Sequence, residues 1–271
     1  MQKAVAIIPA RFNSTRFPGK PLATLKGKII IQHVCEHVSS AKLIDSVIVA
    51  TDDMRIFDAV KSFGGRAVMT SGSHTSGTDR VAEAAEKIDY NFVINVQGDE
   101  PFIMPEMVDE VVELLYNNDK VSISTLAKKI TDMHEILSPN VVKVVMDKEG
   151  FAMYFSRAPI PFYRDGWEME RTEDKRQNTD LKYSFELKTQ NSKLKTLFCY
   201  KHIGIYGFRR DALLKFVSLK EGRLEKIEKL EQLRALEAGM KIKVKETEYD
   251  TFGIDTIEDL RKAEEWQNIS L

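Results

Sequence analysis

Cysteine is scarce. The 271 residues hold two, Cys35 and Cys199, far apart and with no CxxC spacing, which excludes a disulfide framework and a thiolate metal cluster and points to a reducing cytoplasm. Charge of one sign is missing too: 40 Lys and Arg face 41 Asp and Glu, a net charge of −1. A chain so balanced exerts no long-range pull on nucleic acid, and any phosphate it handles must be met by a few placed cations. Long apolar runs are absent. The opening MQKAVAIIPAR has one short apolar stretch before Pro9 and Arg11, too short for a signal peptide or a membrane span, and no later stretch reaches a spanning length. The histidines lack metal-ligand spacing, and His33 and His37, four apart, lack the HExxH pattern, so no zinc is expected. What is present, 43% hydrophobic and 30% charged residues, describes an ordinary globular chain with a small ligand.

Short β-branched runs recur at Val5–Ile8, Ser46–Ala50, Ala67–Met69, Phe92–Val96 and Val121–Leu126, each too apolar for a strand with a solvated face. Between them the spacing predicts helices at Ile30–Ser40, Arg55–Phe63, Gly77–Ile88 and Pro105–Asn117. Strands alternating with helices predict an α/β fold with an open, doubly wound, mostly parallel sheet. The second half differs. VVKVVMD and FAMYFSR read as a hairpin closed at Asp147–Gly150, followed by a densely polar stretch from about Tyr163 to Leu197 that reads as an exposed insertion, placed at about 166–197. FCYKHIGIYGFRR resumes as a strand, LEKIEKLEQLRALEAG as one amphipathic helix ended by Gly239, and KIKVKE leads through FGIDT into a helix over 257–266. A single domain over 1–271 is expected, with a β-rich lobe over about 141–210.

Chemistry concentrates in three segments. AIIPARFNSTRFPGKPL follows the first buried strand and gathers Arg11, Arg16 and Lys20, which repel one another unless an anion neutralises them; a polyphosphate suits the loop, although a solvated basic loop remains open. It is not a Walker loop, because the GxxxxGK[ST] spacing is missing. VINVQGDEP runs a strand straight into Gln97, Gly98 and Asp99, where a carboxylate suits a hard cation such as Mg²⁺ or simply a cap. Asp255 in YDTFGIDTIEDL stands similarly after a strand, as a second ligand or as the cap of the helix that follows.

These segments, with VATDD, HTSGTDRVAE, NVVKVVMD, YFSRAPIPF, HIGIYGFR and LEQLRALEAG in this order, resemble the cytidylyltransferases that activate 3-deoxy-manno-octulosonate (Kdo), among the CMP-sugar-acid synthetases. The resemblance covers nearly everything outside the polar insertion. It implies a nucleotide-diphospho-sugar-transferase-like fold and transfer of CMP from CTP to the anomeric hydroxyl of Kdo, with pyrophosphate released, for lipopolysaccharide core synthesis. It further implies a Mg²⁺ cofactor, a cytoplasmic location and a homodimer formed through the β-rich lobe. Its residues would divide as follows. Arg16 and Lys20 would hold the triphosphate, with Pro9, Ala10, Arg11, Ser76, Gly77, Arg80 and Gln97 around the nucleotide. Asp99 and Asp255 would hold Mg²⁺ and, with Lys20 and Arg16, form the catalytic set. Gln97, Arg157, His202, Tyr206, Glu231 and Gln232 would take the sugar, Arg157 clamping its carboxylate. His202 also reads as a structural histidine, and Glu231–Gln232 as solvated surface. A related acceptor, 8-amino-Kdo or a sialic-type acid, and a non-catalytic nucleotide sensor are the alternatives.

Overall fold

The structure, a computed structural model, describes residues 2–14, 16–164, 168–171, 185–188 and 199–265. In chain order its strands and helices are β1 (Ala4–Ala10), β2 (Thr24–Leu25), β3 (Lys28–Ile29), α1 (Ile30–Ser39), β4 (Ser46–Thr51), α2 (Met54–Ser62), β5 (Ala67–Met69), α3 (Gly77–Glu86), β6 (Phe92–Asn95), α4 (Pro105–Tyr116) and β7 (Ile123–Lys129). They continue with α5 (Met133–Leu137), β8 (Lys143–Met146), β9 (Ala152–Ser156), β10 (Glu168–Arg171), β11 (Phe185–Lys188), β12 (Tyr200–Arg209), α6 (Arg210–Ser218), α7 (Arg223–Glu228), α8 (Leu233–Glu237), β13 (Ile242–Glu246) and α9 (Ile257–Glu265).

The main sheet runs β13-β7-β12-β6-β1-β4-β5, with β1 parallel to both β4 and β6 and β12 antiparallel to its neighbours. All seven residues of β1 are buried, which is why it reads as a continuous apolar run. Its alternation still sorts the two faces: Ala4, Ala6 and Ile8 pack with Val34 of α1 and Val108 and Val111 of α4, while Val5 and Ile7 pack with Val81 and Ala85 of α3 and Phe216 of α6. The chain moves outward from β1 to β4 to β5, with α1 and α2 on one face, then returns through α3 on the other face to β6, on the far side of β1. Right-handed crossovers require that change of face when the direction reverses. The reversal leaves a crevice past the carboxyl ends of β1 and β6, where open α/β sheets bind ligands. Ala10 and Asn95 end those strands.

The predicted hairpin forms as β8 and β9, paired from Lys143–Ser156 onward. β12 is more than part of a lobe: Tyr200 and Lys201 pair with β8, whereas Tyr206–Arg209 pair with β6 inside the main sheet, so one long strand joins the hairpin to the core. The segment read as one helix over 224–239 is two, α7 and α8. Lys229 takes a left-handed conformation (φ 55°) at the break. An ion pair explains why: Arg234 forks onto the carboxylate of Glu225 at 2.6 and 2.8 Å, yet residues nine apart lie on opposite faces of a continuous helix. Most of the polar stretch at 166–197 lies outside the described residues; β10 and β11 within it pair antiparallel. Among the described residues, no helix is long and apolar enough to cross a membrane.

Candidate active site

The crevice at the strand reversal is a cleft of about 340 Å³ lined by Pro9, Ala10, Arg11, Ser14, Arg16, Lys20, Pro21, His74, Thr75, Ser76, Gly77, Arg80, Gln97, Gly98, Asp99 and Asp255. Its walls follow from local chemistry. Gly98 is needed because a Cβ there would stand 2.9 Å from the carbonyl oxygen of Pro9, so only glycine lets the loop after β6 press against β1. Ser76 caps α3 by accepting the Asp79 N–H at 3.1 Å, which places Ser76 and Gly77 at the rim. Arg80 is buried, its guanidinium donating to Asp52 at 2.9 Å and to Thr70 at 2.6 Å.

At the centre Lys20 lies between two carboxylates, donating to Asp99 Oδ2 at 2.5 Å and Asp255 Oδ1 at 3.0 Å, while Arg16 reaches Asp255 Oδ2 at 3.0 Å. Burial opposes the charge of Lys20, but Asp99 and then Asp255 outweigh it and the ammonium holds its proton above the ordinary range. Burial likewise opposes ionisation of Asp255, and Lys20 followed by Arg16 overcomes it, so its pKa lies below the usual carboxylate value. Glu100, next to Asp99, goes the other way: burial first, then the Asp99 charge, raise it to about 7.

A second, smaller pocket of about 70 Å³ opens beside the cleft and shares Gln97 with it. Its walls are Thr78, Asn95, Ile123, Tyr206, Phe208, Phe216, Glu231, Gln232, Ala235 and Ile242. Two buried oxygens in it, Tyr206 Oη and Glu231 Oε1, have no hydrogen-bond partner. Groups left so cost about 1–3 kcal/mol each unless a ligand or water meets them. Burial, followed by Glu231, holds the Tyr206 hydroxyl well above its ordinary pKa; burial also raises Glu231, against the Thr78 hydroxyl that donates to it at 2.7 Å.

A cation-lined cleft at a strand reversal, joined to a pocket of unsatisfied hydroxyl and carboxylate oxygens, suits a phosphorylated donor meeting a polyhydroxylated acceptor. The family model described as Cytidylyltransferase matches residues 5–242. The chain belongs to that family. It is 53% identical to a Thermodesulfovibrio yellowstonii protein named 3-deoxy-manno-octulosonate cytidylyltransferase, over 97% of this chain and 98% of that one. A Geobacter sulfurreducens protein of the same name is 50% identical, over 95% and 96%. Among solved structures, CMP:2-keto-3-deoxy-manno-octonic acid synthetase complexed with CTP superposes with a TM-score of 0.84 at 38% identity, covering 97% of this chain and 98% of that one. A 4-diphosphocytidyl-2C-methyl-D-erythritol synthase from Anaerococcus prevotii shares the fold, with a TM-score of 0.59 at 17% identity over 97% and 95%.

In this cytidylyltransferase the residues expected around a nucleotide and a metal, Pro9, Ala10, Arg11, Arg16, Lys20, Ser76, Gly77, Arg80, Gln97, Asp99 and Asp255, all line the one cleft. Of those expected at the sugar, Gln97, Tyr206, Glu231 and Gln232 line the smaller pocket, and two do not. His202 stands behind Tyr206, ring centroids 5.2 Å apart, with Nε2 3.0 Å from Thr125 Oγ1; burial lowers its pKa to about 3. Arg157 turns away from both cavities because its fork has main-chain acceptors: Nε donates to Glu228 O at 2.8 Å and Nη1 to Pro139 O at 2.9 Å. In this conformation it braces the turn before Glu231 and offers no clamp to a carboxylate.

Sequence reading passed over Asn95 and Thr78. Gln97 Nε2 donates to Asn95 Oδ1 at 2.9 Å, Asn95 Nδ2 to Thr78 Oγ1 at 3.3 Å, and Thr78 Oγ1 to Glu231 Oε2, forming a chain from cleft to pocket. A signal was present in the sequence, since Asn95 is a carboxamide closing an otherwise apolar strand, Phe92–Asn95.

Proposed function

We propose that this chain transfers CMP from CTP to the anomeric hydroxyl of Kdo, releasing pyrophosphate, with Mg²⁺ as cofactor. The observation that carries the reading is the junction at Gln97 of a cleft holding Arg11, Arg16 and Lys20 with a pocket in which Tyr206 Oη and Glu231 Oε1 have no hydrogen-bond partner. The acceptor oxygen forms a bond to the α-phosphorus as the bond from phosphorus to pyrophosphate breaks, and charge builds on the phosphoryl oxygens and the leaving group. Cations at the strand ends stabilise that charge, the role assigned to Lys20, which is buried, and to Arg16. The cleft wall at Pro9, Ala10, Ser76, Gly77 and Arg80 seats the nucleoside, and Tyr206, Glu231 and Gln232 orient the acceptor's hydroxyls.

Asp99 and Asp255 fit Mg²⁺: two hard carboxylates already converge on one positive group, the Lys20 ammonium, at 2.5 and 3.0 Å. Bound there, the ion would neutralise phosphate oxygens and lower the proton affinity of the attacking hydroxyl. Among the described residues no third His, Cys, Asp or Glu joins them, which leaves the other ligand positions to substrate and water. Two copies would pair through the β-rich lobe, where Met153 is 64% exposed. The chain would act in the cytoplasm, supplying CMP-Kdo for lipopolysaccharide core synthesis.

Pyrophosphate release from CTP is the test. Kdo and Mg²⁺ together should support it, chelation should abolish it, and Asp99→Asn should lower it about 100-fold or more; turnover in excess chelator overturns the metal assignment. Glu231 Oε1, which has no hydrogen-bond partner and has the Arg234 guanidinium 3.8 Å away, would accept from an ammonium as well as from a hydroxyl, so 8-amino-Kdo belongs in the acceptor panel. Preference for it by orders of magnitude would replace Kdo as the substrate.

A further inference from the structure

We infer that Thr251 and Glu100 form a clip that positions Asp255, a role that rests on Asp99 and Asp255 being the metal ligands proposed above. Asp255 comes from a segment with no regular structure between β13 and α9, and its side chain is 48% exposed. A metal ligand must be held in place by its surroundings, because each ångström of play weakens the site.

Two attachments hold the middle of this segment to the loop of Asp99. Thr251 Oγ1 donates to Glu100 Oε2 at 2.6 Å, and the Ile254 N–H donates to the Asp99 carbonyl at 2.8 Å. The two segments also touch at Gly253, where a Cβ would lie 2.9 Å from Glu100 Oε1, so a side chain there would shift the Glu100 carboxylate. The ends are pinned separately. Asp250 is paired with Lys201 at 2.9 Å and Lys128 at 3.3 Å, and Asp259 accepts the Thr256 N–H at 2.9 Å in a reciprocal cap at the start of α9. Burial of Ile254 and its N–H on the Asp99 carbonyl fix the backbone beside Asp255, and the Thr251 hydroxyl on Glu100 is the side-chain bond that ties the start of the segment to the same loop. Glu100 therefore acts through Thr251 as a positioning residue, its Oε2 engaged by that hydroxyl.

The experiment measures CTP affinity by calorimetry, with Mg²⁺ and in EDTA, with no acceptor present so that nothing turns over. The ratio of the two affinities isolates what the metal adds. Thr251→Val should lower that ratio about tenfold, with CTP affinity in EDTA within about twofold of wild type, and Thr251→Ser should restore it. Amide exchange at Ile254 should quicken in Thr251→Val and stay slow in Thr251→Ser. Asp255→Asn is the control for the metal assignment. A ratio unchanged in Thr251→Val but lowered in Asp255→Asn overturns the clip. A ratio unchanged in Asp255→Asn overturns the metal assignment, and exchange at Ile254 then decides the clip alone: unchanged exchange in Thr251→Val removes it. Thr251→Ala replaces Thr251→Val if the latter does not fold.

Discussion

Thr78 Oγ1 donates to Glu231 Oε2 at 2.7 Å, tying the first turn of α3, at the nucleotide cleft, to the turn before α8, at the acceptor pocket. Thr78 is 5% exposed and lines the same pocket as Glu231. Thr78→Val keeps the shape and removes the donor to Glu231 Oε2, a cost of about 1–3 kcal/mol. The KM for the acceptor is expected to rise about tenfold, with KM for CTP within about twofold, and Thr78→Ser should recover most of the loss. Equal rises in both constants would show that Thr78 supports the fold rather than the pocket.

Lys20 neutralises Asp99 and Asp255 in the free chain, and its removal leaves two carboxylates facing one another with only Arg16 in reach of Asp255. Lys20→Met should therefore abolish turnover and lower Tm, and added Mg²⁺ should raise the Tm of the variant by more than it raises that of wild type. Equal shifts in the two proteins, read by differential scanning calorimetry at one ionic strength, would refute the shared site.

His202 gives the pH dependence a sign. Its folded pKa of about 3 lies below the ordinary value of about 6.5, so as pH falls below about 6.5 the unfolded chain takes up a proton that the folded chain refuses. Stability on this account is full above pH 6.5 and declines between about 6.5 and 3. The stability difference between wild type and His202→Gln should narrow across that window and stay flat above it. NMR titration checks the group directly, since the imidazole should remain neutral at pH 4.5; a midpoint near 6.5 would refute its burial behind Tyr206.

The boundary between what the sequence discloses and what it hides runs along distance in the chain. β1, β4 and β6 and the four helices α1 to α4 show in the sequence because each is a local pattern of burial, and the loop cations show because Arg11, Arg16 and Lys20 lie within ten residues. The bonds of Thr78 with Glu231 and of Thr251 with Glu100 join residues 153 and 151 apart, and no periodicity carries them. Arg157 reads as an anion clamp because its type suits one, whereas the carbonyls that occupy it come from 139 and 228. The break between α7 and α8 hides for a different reason: LEKIEKLEQLRALEAG satisfies helical spacing throughout, and the pairing of Glu225 with Arg234, which a continuous helix would forbid, shows only in three dimensions.

That kink supplies the last prediction. Lys229 adopts φ 55° and ψ 46°, a conformation that costs a residue with a Cβ about 1–2 kcal/mol. Glycine removes that strain but gives up about 0.5–1 kcal/mol to the freedom of the unfolded chain. Lys229→Gly should thus be neutral or stabilising by up to about 1.5 kcal/mol. A β-branched side chain tolerates the left-handed region least, so Lys229→Val should lose about 1 kcal/mol or more and lower the urea midpoint accordingly. The glycine variant should also keep its KM for the acceptor, because the turn that delivers Glu231 and Gln232 retains its shape. A glycine variant less stable than the valine variant would mean that the left-handed backbone at Lys229 carries no strain for a side chain.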